Sequence, residues 1–211
     1  MFVAGAAFAN LRSVGAMKPQ TFILASASPR RVVLLKQLVP EFEIVPSDAT
    51  EVHDVQLTAW EMAQVNAYRK ARMVAKKFPD ALVLGADTLV YLDRETRLFG
   101  KPANLTEAEQ MLVELAGRVH VVITGVCLLH LRGHRQRVFA DWTDVRFHPL
   151  TEVQIREYLE LTKPLDKAGA YAIQEHGERL VAEISGSFSN VVGLPLDRLR
   201  SELEQWSLAG G

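Results

Sequence analysis

Apolar runs and helix-start signals alternate along this chain in the manner of an α/β protein. Phe22-Ile23-Leu24-Ala25 is a short unbroken run, as a buried strand requires. Ser28 then stands as an N-cap and Pro29 at the first helical position, ahead of the helical stretch Val32 to Leu38. Glu41 to Val45 alternates as a strand does, and Pro46 ends it. Thr58-Ala59-Trp60-Glu61 has capping-box spacing, with Leu57 and Met62 placed to staple it, and predicts a helix to about Lys77. Ala81 to Ala86 is continuously apolar, which predicts a strand buried on both faces that delivers Asp87-Thr88 at its end. Leu89 to Leu92 resumes an apolar strand, and Asp93 to Arg97 reads as a polar turn. Thr106-Glu107-Ala108-Glu109 reads as a second capping box, with Ala108, Met111, Leu112 and Leu115 on one helical face and Gly117 as the stop. Two long strand-like runs follow, Val119 to Leu131 and Val138 to Phe147, around a basic tip at residues 132–137. A third helix starts at Thr151 with Ile155, Tyr158 and Leu159 as its apolar stripe. Leu180 to Ile184 reads as a strand, and Leu194-Pro195-Leu196 opens a last helix that ends near Trp206.

The pattern predicts one α/β domain over residues 21–206, with residues 1–20 as a loose N-terminal extension and 207–211 as a C-terminal tail. Met17 directly precedes the first strand region and is a candidate start. Hydrophobic residues make up 48% of the 211, enough for a sizeable core. The formal net charge of −1 argues against a general nucleic-acid binder with a large basic surface, so no stable nucleic-acid partner is expected. Cys127 is the single cysteine and lies in an apolar run, which predicts a buried strand thiol and fits a cytoplasmic protein. No run is long enough to span a bilayer, and the apolar first residues lack the positive region of a signal peptide. The six histidines include no close pair of the kind zinc sites use.

Chemistry concentrates in a few places. Ser26-Ala27-Ser28-Pro29-Arg30-Arg31 joins a strand to a helix start, with hydroxyls, free N–H groups and two guanidinium forks. Cations in a first helical turn oppose the helix dipole unless an anion faces them, so this stretch is either a phosphate cradle or an ordinary turn with solvated arginines. Asp87 is a carboxylate inside an apolar context, which costs free energy unless it is paired, hydrogen-bonded or metal-bound. It is the strongest single candidate, against a structural role bonded to turn N–H groups. The loop Ser47 to Glu51 offers two acids, as a metal ligand or as a solvated turn. Gly100-Lys101-Pro102 is not a P-loop, because no glycine sits five residues earlier and proline stands where the Ser/Thr would be, but Lys101 can contact phosphate as a point charge. The segments Lys163 to Gln174 and Ser185 to Asn190 have the mixed composition of ligand-facing loops.

Taken together, Ser26-Ala27-Ser28-Pro29-Arg30-Arg31, Gly85-Ala86-Asp87-Thr88, Gly100-Lys101-Pro102, Leu165-Asp166-Lys167-Ala168-Gly169-Ala170-Tyr171 and Gly186 to Leu196 resemble the Maf family of nucleoside triphosphate pyrophosphatases, in the family's order. The resemblance implies an elongated mixed central sheet flanked by helices, related to the inosine triphosphate pyrophosphatases. It implies cleavage of a nucleoside triphosphate to monophosphate and pyrophosphate with a divalent cation, magnesium or manganese, and a possible homodimer. Asp87 matches the family's proton acceptor; Arg30, Thr88 and Gln174 match positions linked to substrate choice. The Ser-Pro-Arg-Arg and Asp-Lys-Ala-Gly-Ala-Tyr forms resemble the branch acting on dTTP and UTP, whereas the branch acting on 7-methyl-GTP usually has Trp at position 30. The chain departs from the usual pattern at Ala116, Val121, Ala172, Glu175 and Phe188, and Glu175 adds a negative charge beside Gln174.

A triphosphate carries about four negative charges, which call for cations as charge develops on the leaving group. Arg30, Arg31, Lys70 and Lys101 are the expected cationic contacts, Ser26 and Ser28 the expected hydroxyl contacts, and Glu51 with Asp87 the expected oxygen ligands for a metal. The competing readings are a nucleotide-binding regulator of cell division with weak catalysis, and an RNA-binding module at the 132–137 tip, which the near-neutral charge disfavours.

Overall fold

The computed structural model describes residues 21–92 and 97–208, so the expectations for residues 1–20, Met17, the 93–96 turn and residues 209–211 lie outside it. Seven strands form one mixed sheet in the order β2-β1-β3-β5-β6-β7, with β4 on the far part of β3. They are β1 (Phe22–Leu24), β2 (Glu43–Ile44), β3 (Leu82–Leu92), β4 (Arg97–Phe99), β5 (Val119–His130), β6 (Arg135–Phe147) and β7 (Val181–Ser185). β1 runs parallel to β2 and β3, and every other pairing is antiparallel. The three long strands β3, β5 and β6 form the spine of the sheet, and β6 at 13 residues reaches about 43 Å.

Among the described residues six α-helices flank the sheet: α1 (Pro29–Leu35), α2 (Ala59–Lys77), α3 (Leu105–Leu115), α4 (Glu152–Leu161), α5 (Phe188–Val192) and α6 (Leu196–Leu208). α2 packs on one face through Ala63, Ala67 and Ala71, against Val83, Leu89, Ile123 and Cys127. The approach is close because β3 and β5 present glycines there. A Cβ on Gly125 would lie 2.2 Å from the Ala63 carbonyl oxygen, and one on Gly85 2.4 Å from that of Ala67. The other face carries two apolar clusters. Leu84, Ala86 and Val126 pack under α1 and α6, and Val90, Val122 and Phe147 pack under α3 and α4. No helix among the described residues is long and apolar enough to cross a membrane.

Several local expectations change. α1 starts at Pro29 and ends at Leu35 rather than running to Leu38, and β6 starts at Arg135 rather than Val138, so the basic tip is shorter than residues 132–137. Asp87-Thr88 does not end a strand: β3 is continuous from Leu82 to Leu92, because β5 pairs with it through Asp87↔Gly125 and beyond. α3 is capped by Asn104 rather than by a box at Thr106; Asn104 Oδ1 accepts from the Glu107 N–H at 2.9 Å. The hydroxyl-rich loop is cut short at Ser187, which caps the short helix Phe188–Val192. α6 continues to Leu208, two residues past the expected end, with Trp206 buried against the core.

Candidate active site

A cleft with about 910 Å3 of open space lies over the middle of β3. Strand β3 supplies Asp87 and Thr88, the start of α1 supplies Ser28, Arg30 and Arg31, and α2 supplies Lys70. Glu51 and Lys101 enter on loops, and residues 166–174 close the remaining side with Asp166, Lys167, Tyr171 and Gln174. Of the expected site residues only Ser26 is absent from the lining.

Because successive strand residues face opposite sides, Asp87 and Thr88 meet different surroundings. Asp87 is buried on the α2 side, where Lys70 Nζ lies 2.5 Å from its Oδ1. The same ammonium is 2.7 Å from Glu51 Oε1, so one cation bridges two carboxylates. Burial raises the Glu51 carboxyl, but the hydrogen bond and charge of Lys70, with the charges of Lys101 and His53, outweigh it and hold Glu51 below its ordinary range.

Asn66 is the member of this cluster that the sequence did not reveal. It is buried and donates from Nδ2 to Asp87 Oδ2 at 3.1 Å. Its Oδ1 accepts from the Val52 N–H at 2.7 Å, and its Nδ2 also reaches the Val52 carbonyl at 3.3 Å. One amide thus ties the loop carrying Glu51 to the carboxylate of Asp87. The available signal was spacing: Asn66 lies four residues before Lys70, one helical turn away on the same face of α2.

Thr88 faces the other side. Arg31 Nη2 donates to Thr88 Oγ1 at 2.9 Å, Arg31 Nε to the Gly193 carbonyl at 2.9 Å, and Nη1 to Ser26 Oγ at 3.3 Å. Thr124 donates its one hydroxyl proton to the Asn190 carbonyl at 3.1 Å, so Thr88 must donate in the 3.0 Å bond between the two threonines. Asn190 Nδ2 in turn donates to Thr143 Oγ1 at 3.0 Å and to the Val122 carbonyl at 2.9 Å. Burial lowers the Arg31 pKa, partly offset by the charges of Asp87 and Glu51. Arg31 therefore joins α1, β3 and the turn after α5 as well as bordering the cleft.

Ser26 is buried beneath the turn, where its oxygen accepts from the Ser28 N–H at 3.2 Å and from Arg31. Its oxygen thus holds the turn, below the residues that line the cleft. Ser28 occupies the N-cap position, yet its side chain makes no capping bond, which leaves the hydroxyl on the cleft side. Arg30 reaches Asp166 Oδ2 at 3.5 Å across the cleft mouth. Gly169 and Ala170 both have positive φ, 69° and 63°, and fold the 166–171 segment back over Val90. The Gly169 N–H donates to the Gly100 carbonyl at 3.1 Å, which brings the Lys101 loop to the same wall.

No group of three or more His, Cys, Asp or Glu side chains is gathered among the described residues. Two carboxylates on one cation suit magnesium or manganese, which complete their shells with water and phosphate oxygens, and do not suit a closed zinc site. Glu51 and Asp87 thus fit the expected metal.

The Maf-like protein family model matches residues 21–206. The dTTP/UTP pyrophosphatase of Symbiobacterium thermophilum is 47% identical over 188 residues, covering 89% of this chain and 94% of that protein. The dTTP/UTP pyrophosphatase of Halalkalibacterium halodurans is 47% identical over 182 residues, covering 86% of this chain and 93% of that protein. Among solved structures, the Ham1 protein of Staphylococcus aureus superposes with a TM-score of 0.53 at 16% identity, over 88% of this chain and 99% of that one. That likeness concerns the fold, and it bears out the α/β class with a mixed, helix-flanked sheet. From the family match across the whole sheet and cleft, this chain belongs to the Maf family.

Proposed function

We propose that the protein hydrolyses dTTP and UTP to the monophosphate and pyrophosphate, within a single domain formed by residues 21–206. The observation that carries this reading is the convergence of Asp87, Glu51 and Lys70 with Arg30 and Lys101 around one cleft. The dTTP/UTP pyrophosphatases that match at 47% identity support the choice of base and bond.

In this reading Arg30, Lys101 and the N–H groups at the start of α1 hold the phosphates, with Ser28 beside them. Asp87 takes the proton of the attacking water as the bridge between the α and β phosphates opens. Asn66 and Lys70 orient its two oxygens. Glu51 and Asp87 would hold magnesium or manganese, which supplies positive charge against the phosphate oxygens. Thr88 and Gln174 face the nucleoside side with Arg30 and set substrate choice. The same reading carries a cytoplasmic setting and a homodimer; light scattering on the purified protein measures the latter.

The test is product analysis with magnesium or manganese and a panel of dTTP, UTP, CTP, GTP, 7-methyl-GTP and ITP. Pyrophosphate with dTMP or UMP is the expected result. Pyrophosphate from 7-methyl-GTP alone would overturn the substrate choice. Orthophosphate would place the cleaved bond elsewhere. Nucleotide binding without product would favour a regulator over an enzyme.

A further inference from the structure

Gln174 reaches the cleft with an amide that makes no hydrogen bond to the described residues. Its position is set by a turn. The Ala172 carbonyl accepts from the Glu175 N–H at 3.1 Å, so Ile173 and Gln174 are the two central residues and Glu175 closes the turn. The Glu175 carboxylate lies 3.3 Å from Lys167 Nζ. Lys167 is only 3% exposed. Its ammonium also donates to the Lys163 carbonyl at 2.5 Å and to Asp166 Oδ1 at 2.8 Å. Three donors meet three acceptors, so this cation is fixed. Asp166 meets Arg30 through its other oxygen. A row of alternating charges, Arg30, Asp166, Lys167 and Glu175, therefore runs along the rim to the turn that carries Gln174.

A carboxamide holds a donor and an acceptor at equal reach, and a half-turn of its terminal bond exchanges them. Uracil and thymine offer a carbonyl beside an N–H; cytosine offers an amino group beside a bare nitrogen. A loosely held glutamine reads both patterns, so discrimination requires that it be held in one sense.

We propose that Lys167 and Glu175 are positioning residues for Gln174, whose ion pair fixes the 172–175 turn and thereby favours uracil and thymine over cytosine. The proposal rests on the reading of the cleft as a pyrimidine triphosphate site. Glu175→Gln keeps the shape of the side chain and removes its charge at a half-exposed position. We would compare kcat/KM for UTP and CTP in the native protein and in this variant, with competition binding of their non-hydrolysable α,β-methylene analogues as a second readout. The UTP-over-CTP preference should fall about two- to fivefold, the scale of one partly exposed ion pair. The loss should come through a higher KM for UTP, with kcat and melting temperature nearly unchanged. Lys167→Arg should keep more of the preference than Lys167→Met. An unchanged ratio in Glu175→Gln would overturn the proposal and leave the substrate reading standing. Equal losses of kcat on both nucleotides with a lower melting temperature would make the pair structural and overturn it as well. A native protein with no preference for UTP over CTP in either readout would overturn both the proposal and the substrate reading.

Discussion

Asp87 and Thr88 are adjacent on β3 and border the same cleft, yet they belong to two unlike polar clusters. On the α2 side, Asp87, Glu51 and Lys70 are charged and share a single ammonium, with Asn66 the only neutral member. On the other side, Arg31, Thr88, Thr124, Asn190 and Thr143 form a directed run of hydrogen bonds that passes from donor to acceptor through the sheet. The first cluster keeps carboxylate capacity that a metal or a water proton can use. The second has its hydroxyl protons and its Arg31 and Asn190 N–H donors directed to protein acceptors, with only the buried Asn190 Oδ1 unpartnered among its side-chain oxygens, and it holds three elements at fixed spacing. The difference separates chemistry from positioning: groups that must change partners are charged and open to the cleft, while groups that must not move are neutral or already paired.

The contrast can be broken by substitution. Asp87→Asn should lower turnover about a thousandfold while nucleotide binding survives, measured by steady-state kinetics and by calorimetric binding. Near-normal turnover would take Asp87 out of its role. Gly125→Ala, which changes neither cluster directly, should cost about 3 kcal/mol in denaturant unfolding, because the new methyl meets the backbone of α2 at Ala63. Asn66→Ala should reduce kcat about tenfold to a hundredfold with native circular dichroism, since Asp87 loses the contact that orients one oxygen. Thr88→Val should act in the opposite sense, costing about 1–2 kcal/mol of stability by stranding Arg31 and Thr124, and lowering kcat less than Asn66→Ala does. A larger kcat loss for Thr88→Val than for Asn66→Ala would reverse the assignment of the two faces.

A group outside both clusters governs the response to pH. His120 is fully buried between Phe147 and Tyr171, with Nε2 2.8 Å from the Tyr171 hydroxyl, and burial lowers its pKa from 6.5 to about 3. Between those values the unfolded chain binds a proton that the folded protein does not. Stability therefore falls as pH drops through 6.5, by about 1.4 kcal/mol per pH unit down to about pH 3. His120→Gln should flatten this acid limb in melting curves recorded between about pH 5 and pH 7. An unchanged slope would place the titrating group elsewhere.

Much of the fold was legible because local rules and burial agreed. The capping box at Thr58 and the apolar stripe of α4 formed where the pattern placed them, and β5 and β6 pair as the expected hairpin, with β6 starting three residues early at Arg135. The Thr106 box misled because the helix starts two residues earlier: Asn104 caps it by accepting from the Glu107 N–H, which leaves Thr106 inside the first turn. Asp87 looked like a strand terminus because a carboxylate interrupts an apolar run; only the pairing with β5 and the contacts from α2 make it tolerable in mid-strand.

The sequence by itself determined the alternation of strands and helices, the unusual carboxylate at 87, and the cations at positions 30, 70 and 101, because these are properties of local pattern and residue chemistry. Tertiary structure alone decided which of them act together. It set Asn66 on Asp87, gave Ser26 a place in the turn beneath Ser28, gave Arg31 three protein partners, and fastened Glu175 to Lys167. The physical reason is that hydrogen bonds and ion pairs depend on distances of about 3 Å between residues far apart in the chain. For the contacts of Asn66 and Lys70 with Asp87, those distances exist only once glycines in β3 and β5 let α2 close against the sheet.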